Sequence, residues 1–327
     1  MAGRPHILFT ATFRSSFIDR DIQVLNGNLD FTTLITKGWA AAFLFIRHLY
    51  SIDVTFSWFA SVYSSLLVFL ARSFRLRSII VLGGVDVAQE KELQYGIWNS
   101  WWKSRLVRYG ITHANAVLAV DESLRLDAMR LAHYDGENIS VVPTGYDSDF
   151  WIPKGGKKQI VLTVAHCPDT TRVKLKGIDV FISVARTLAD LQFKIVGIDP
   201  LIALELNVPP NLECIPFSSP EVLRQMYQEA KVYCQLSYRE GLPNSLCEAM
   251  LCECTPVGSN VGGIPDAIGD SGFVVNYHDE EQTKNAIRQA LISASDLGHR
   301  ARLRIASRYT ISRRDNSLSK IILGLLQ

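Results

Sequence analysis

Short, almost continuously apolar runs of strand type recur along this chain, separated by stretches of helical periodicity, and no other feature limits the choice of fold so strongly. In the first half the runs are Ile7 to Thr10, Val54 to Trp58, Ser78 to Leu82, Ala116 to Val120 and Ile139 to Pro143. In the second half they are Ile160 to Ala165, Phe193 to Val196, Leu212 to Ile215, Val232 to Leu236, Thr255 to Gly258 and Gly272 to Val275. Strands that are apolar on both faces belong to parallel sheets covered on both sides, and their alternation with helices is the pattern of doubly wound α/β domains. Helical stretches run from about Ala60 to Arg72, Gly177 to Ala189, Pro220 to Ala230, Ser245 to Cys252, Glu280 to Ser293 and Asn316 to Leu326. A chain of 327 residues is too long for one core and suits two domains. Turn formers and charges cluster between Val142 and Lys157, which sets domains at 1–148 and 149–310 and leaves 311–327 as a last helix.

Charge and cysteine usage exclude several classes. The chain holds 34 basic and 32 acidic residues, a net charge of +2, so no broad field for nucleic acid is implied. All six cysteines lie in the second half, and Cys247, Cys252 and Cys254 lack the paired spacing of a zinc site. Reduced thiols and a cytoplasmic setting follow. The opening residues lead into a short strand and carry no long apolar core of a signal peptide. The uncharged run Val54 to Ala71 has barely the length to span a bilayer; with Thr55, Ser57, Ser61, Ser64 and Ser65 it reads as a buried strand followed by a helix.

Two clusters carry chemistry. In Ser237 to Met250, Gly241 and Pro243 end a strand, Asn244 and Ser245 are good N-caps, and a helix follows with Leu246, Met250 and Leu251 on its apolar side. A helix that opens in this way presents free amides to a phosphate or to sugar hydroxyls. Glu240 precedes that opening and Glu248 lies about one turn inside it, so the two carboxylates suit opposite ends of one extended polar ligand. The second cluster, Thr170 to Asp179, reads as a basic loop holding Arg172, Lys174 and Lys176 after the strand that ends at Ala165. Cations there suit an anionic ligand, because charge-assisted hydrogen bonds contribute about 1.5 to 3 kcal/mol each.

Glu240, seven residues, Glu248, then Pro256-Val257-Gly258, Gly262-Gly263-Ile264-Pro265 and Ile268 to Phe273 resembles the donor-binding signature of retaining glycosyltransferases of family 4. Pro143, Gly145, Asp147 and Phe150 resemble that family's hinge. The resemblance implies the GT-B fold: two Rossmann-like domains facing across a cleft, with the last helix crossing back to the first domain. It implies that Glu240 contacts the donor sugar near its reacting carbon. Gly241, Leu242, Pro243, Asn244, Ser245 and Leu246 would grip the sugar, and Glu248 the ribose. Lys176 with Gly177 matches the family's diphosphate-binding pair. Arg172 stands one residue closer to the lysine than is usual, so Lys174 or His166 are alternatives to it. Relative to the family, the segment after the first strand lacks glycine and Trp58 to Ser61 lacks histidine.

The implied activity is retaining, metal-independent hexosyl transfer from a nucleoside diphosphate sugar to a glycan or glycolipid, as in polysaccharide biosynthesis. No cofactor is called for. The alternatives are a GT-B phosphorylase, whose pyridoxal phosphate lysine no motif identifies, and a non-catalytic nucleotide-sugar-binding protein. On the acceptor side Asp86, after a strand and Gly83-Gly84, is either an acceptor contact or a loop cap. Residues 72–108 hold seven basic and three acidic residues, with Trp98, Trp101 and Trp102 interleaved among Lys103, Arg105 and Arg108. That segment either lies on the anionic inner face of a membrane or packs its tryptophans into the core.

Overall fold

Parallel strands can be buried on both faces only if helices cover both sides of the sheet, and the chain builds two such sheets. The computed structural model describes residues 5–26, 30–35, 43, 46–48, 51–293 and 296–327. The first sheet contains β1 (His6–Ala11), β2 (Asp30–Ile35), β3 (Val54–Trp58), β4 (Arg77–Leu82), β5 (Ala116–Ala119) and β6 (Ile139–Val141), in the order β2-β1-β3-β4-β5-β6. The second contains β7 (Lys158–Cys167), β8 (Gln192–Ile198), β9 (Leu212–Ile215), β10 (Ala230–Gln235), β11 (Thr255–Ser259) and β12 (Phe273–Val275), in the order β12-β11-β10-β7-β8-β9. Neighbouring strands in both sheets pair in parallel. By contacts the chain divides into Met1–Gly145 with Ile311–Gln327, and Tyr146–Thr310.

The run Val54 to Ala71 folds, as expected, into β3 and the helix Val62–Ser73, which begins with a capping box between Ser61 and Ser64. No described helix is long and apolar enough to cross a membrane. β2 has no counterpart among the expected strands; it pairs along its whole length with β1. The basic stretch at 170 is not a loop: Thr170–Leu175 is a short helix whose N-cap Asp169 accepts from the Arg172 amide at 2.8 Å. Neither Asn244 nor Ser245 caps the helix Asn244–Leu251, whose N-cap position is Pro243. Their side chains have other partners: Asn244 accepts from the Tyr146 hydroxyl at 2.9 Å, and Ser245 donates to Gln235 at 3.2 Å.

In the first unit the last helix, Ile311–Leu326, is fixed by one buried ion pair. Arg314 donates from Nε and Nη2 to the two oxygens of Asp21, at 2.9 and 2.6 Å, and from Nη1 to the carbonyl of Val142 at 2.5 Å. Trp58 Nε1 donates to the same carboxylate at 2.9 Å. Both charged residues are almost wholly buried, at 3% and 2% exposure.

In the second unit Phe181 and Phe193 meet edge to face within a core built from both sides of the sheet. Arg302 bonds to the carbonyls of Ser148, Trp151 and Leu251, and Lys157 to those of Tyr227 and Cys252. Long cationic side chains thereby satisfy carbonyls at strand and helix ends that would otherwise be buried without donors.

Candidate active site

The second sheet reverses its direction of winding between β7 and β10, because β8 and β9 extend to one side and β11 and β12 to the other. Ligands of open α/β sheets bind at that reversal, beyond the carboxyl ends of the strands. The segments leaving β7 and β10 there carry Lys176 and Glu240.

Lys176 Nζ forms an ion pair with Glu240 Oε1, the two side chains being 21% and 12% exposed. Below it Glu240 Oε1 accepts from Ser237 Oγ at 3.0 Å and from Gln235 Nε2 at 3.2 Å. Gln235 also donates to Ser237 at 2.8 Å, while its oxygen accepts from Tyr233 at 3.0 Å. Gln235 and Ser237 are buried, and the Ser237 carbonyl accepts from Ser259 Oγ at 2.7 Å. A chain of hydrogen bonds rooted in β10 and β11 therefore sets the position of the Glu240 carboxylate, and such buried networks hold one geometry when every member is satisfied.

Two glycines permit the close packing. Gly177 has φ +64°, and a Cβ there would lie 1.9 Å from the Leu236 carbonyl oxygen. Gly262 has φ +56°, with its Cβ position 2.1 Å from the Glu240 carbonyl oxygen. Gly263 N donates to the Gly241 carbonyl at 2.9 Å, so the loop after β11 backs the loop that carries Glu240. The Tyr238 amide donates to Leu175 at 2.9 Å and joins the lysine segment to the same assembly.

Arg172 and Lys176 are four residues apart on one short helical stretch, with the Lys176 amide bonded to the Arg172 carbonyl at 2.9 Å. That spacing places both cations on one side. Both lie near Cys167, whose thiol burial pushes up to about 11 against the pull of the two cations. Lys174 and His166 are exposed. Gly241 to Pro243 are buried, Asn244 and Ser245 are half-buried and Leu246 is buried. The first intrahelical bond runs from Cys247 to the Pro243 carbonyl. The amides of Asn244, Ser245 and Leu246 thus precede the helical ladder at the positive end of the dipole. Glu248 is 7% exposed and close enough to Tyr227 and Tyr233 to add to the effect of burial, which pushes both phenols up. Among the described residues no group of three or more His, Cys, Asp or Glu side chains is placed to hold a metal ion.

Asp86 is buried in the first unit and acts as a loop cap. Its carboxyl accepts from the amides of Ala60 at 3.0 Å, Gly83 at 3.1 Å and Gly84 at 2.6 Å. Burial pushes that carboxyl up, against the pull of the amide donors. A different feature stands at the reversal of the first sheet, between β1 and β3. Thr10 and Ser57 share a hydrogen bond of 2.8 Å at the edge of a crevice lined by Thr12, Ser61, Tyr63 and Ser64. In the sequence Ser57, Ser61 and Ser64 serve only to mark a buried strand and helix, because serine and threonine carry no spacing that distinguishes a site.

Residues 149–308 match the family described as glycosyl transferases group 1. The chain is 26% identical over 227 residues to an alpha-maltose-1-phosphate synthase of Mycobacterium tuberculosis, covering 62% of this chain and 58% of that protein. It is 27% identical over 191 residues to a D-inositol 3-phosphate glycosyltransferase of Corynebacterium aurimucosum, covering 49% and 45%. The chain thus spans about half of the length of these curated relatives. Among solved structures, sucrose-phosphate synthase from Thermosynechococcus elongatus superposes with a TM-score of 0.82 at 14% identity, over 99% of both chains. Anabaena HepE in complex with UDP superposes with a TM-score of 0.76 at 13% identity, over 98% of this chain and all of that one. The fold is GT-B.

Proposed function

We propose that this chain is a retaining, metal-independent glycosyltransferase of family 4 that moves a hexosyl group from a nucleoside diphosphate sugar to a glycan or glycolipid. The observation that carries the reading is the Lys176–Glu240 ion pair at the β7/β10 reversal, beside the open amides of Asn244 to Leu246. A donor's diphosphate oxygens compete with Glu240 for the Lys176 ammonium. When the bond from the anomeric carbon to the diphosphate breaks, Lys176 and Arg172 offset the growing charge. Glu240 and the Gly241 to Leu246 segment hold the sugar, Glu248 the ribose, and the acceptor hydroxyl arrives on the face the diphosphate leaves. Support for a nucleotide-sugar donor comes from HepE, which has been solved with UDP and with UDP-glucose. On the acceptor side the Asp86 carboxyl is committed to backbone amides.

Because Lys176 and Arg172 carry the charge work, excess EDTA should leave the release of nucleoside diphosphate from UDP-, GDP- or ADP-sugars nearly unchanged. A tenfold loss restored by Mg²⁺ or Mn²⁺ contradicts the metal-independent reading.

A further inference from the structure

Two neighbouring helices of the first unit, Val62–Ser73 and Trp101–His113, pack closely, with a Cβ at Gly110 lying 2.4 Å from Ser65 Oγ and the Phe69 ring near that of Tyr109. Neither helix contains a carboxylate, and none occurs anywhere in residues 54–85 or 93–120. Most of the residues turned to solvent are basic or large and apolar. Trp101 is 72% exposed, Phe69 52%, Phe74 51%, Trp102 45% and Leu106 42%. Arg72, Arg75, Arg77, Lys103, Arg105 and Arg108 are exposed with them. Arg105 lies over the Trp101 ring at 5.3 Å, and Lys103 over the Trp102 ring at 5.6 Å. Trp98 does not belong to this face: it is buried and donates from Nε1 to the Asp86 carbonyl at 2.8 Å. Of the three tryptophans, Trp98 alone packs into the core, while Trp101 and Trp102 are exposed.

An exposed indole carrying a cation on its ring costs nothing to the core and gains little in water. The same pair suits the boundary between acyl chains and anionic headgroups, where aromatic rings enter and cations meet phosphate. Nucleic acid would use the cations but leave Leu106, Phe69 and Phe74 without apolar partners. We infer that the face formed by these two helices docks the protein on an anionic lipid surface, with Trp101 and Trp102 inserted and Lys103, Arg105, Arg72 and Arg75 against lipid phosphates. Docking is a property of the first unit and is independent of the donor chemistry in the second, although it favours the glycolipid among the acceptors.

The test is sedimentation of the full chain with phosphatidylglycerol vesicles and with phosphatidylcholine vesicles, at low and high salt. The wild type should pellet with the anionic vesicles only and leave them as salt rises. Lys103→Glu with Arg105→Glu should lower the partition coefficient by about tenfold or more, since each basic residue near such a surface contributes about 1 kcal/mol. Trp101→Ala with Trp102→Ala should lower it without changing thermal unfolding. Lys158→Glu, a charge reversal on the second unit, should bind as the wild type does. Wild-type protein that stays in the supernatant at low salt, equal loss in the Lys158 variant, or vesicle binding displaced by short RNA overturns the inference. Nucleoside diphosphate release without vesicles, measured alongside, reports on the donor site separately and should be the same in all these variants.

Discussion

Replacing Glu240 by Gln should lower turnover of a nucleoside diphosphate sugar by about a hundredfold to a thousandfold, the range seen when one preorganised electrostatic group is removed from a reacting centre. Donor affinity should change by less than about tenfold, because an amide keeps the shape of the carboxylate and most of its contacts with substrate hydroxyls. What Gln cannot keep is the charge that Lys176 pairs with, or a side chain that only accepts, as Gln235 Nε2 and Ser237 Oγ require of it. Glu248→Ala should show the opposite division, with weaker nucleotide binding and a smaller change in turnover once donor is saturating. Steady-state rates together with calorimetric donor affinities check both. Near-wild-type turnover in the Glu240 variant would remove that residue from the chemistry.

Arg314→Ala should destabilise the first unit by about 3 to 5 kcal/mol, because it leaves the Asp21 carboxylate buried without its counter-ion. Trp58 Nε1 would then be the one neutral donor left from that arrangement, and the carbonyl of Val142 would lose the guanidinium. Arg314→Lys should recover only part of the loss, since an ammonium cannot reproduce the two-pronged contact with Asp21. Replacing both members together, Asp21→Leu with Arg314→Met, should cost less than either single change. Denaturant unfolding of the wild type, the single variants and the double variant reads these differences. A loss under about 1 kcal/mol in Arg314→Ala would mean that the pair is not the anchor of the last helix.

The strands were readable where burial on both faces made them apolar end to end, as in Ala116–Ala119, which lies within the expected run Ala116 to Val120. β2 escaped notice because Thr32-Thr33 interrupts its apolar run, which an edge strand tolerates. The helix Thr170–Leu175 is too short for helical periodicity to register, and Asp169 was its one signal. Its presence explains why Arg172 stands four residues before Lys176: that interval is one helical turn. The caps failed for a tertiary reason, since Asn244 and Ser245 spend their side chains on Tyr146 and Gln235. Glu240, Glu248 and Lys176 stood out as charged residues beside turn formers. Gln235 and Ser237, which hold Glu240 in place, did not, because their role depends on β10 lying between β7 and β11.

The most direct measurement is a proton NMR time course of an α-linked nucleoside diphosphate sugar incubated with the protein and a glycan or glycolipid acceptor, read at the anomeric position. The account predicts release of nucleoside diphosphate together with an α-linked product. A β-linked product would contradict retention, and a donor that binds at the Lys176–Glu240 site without any release would contradict transfer itself.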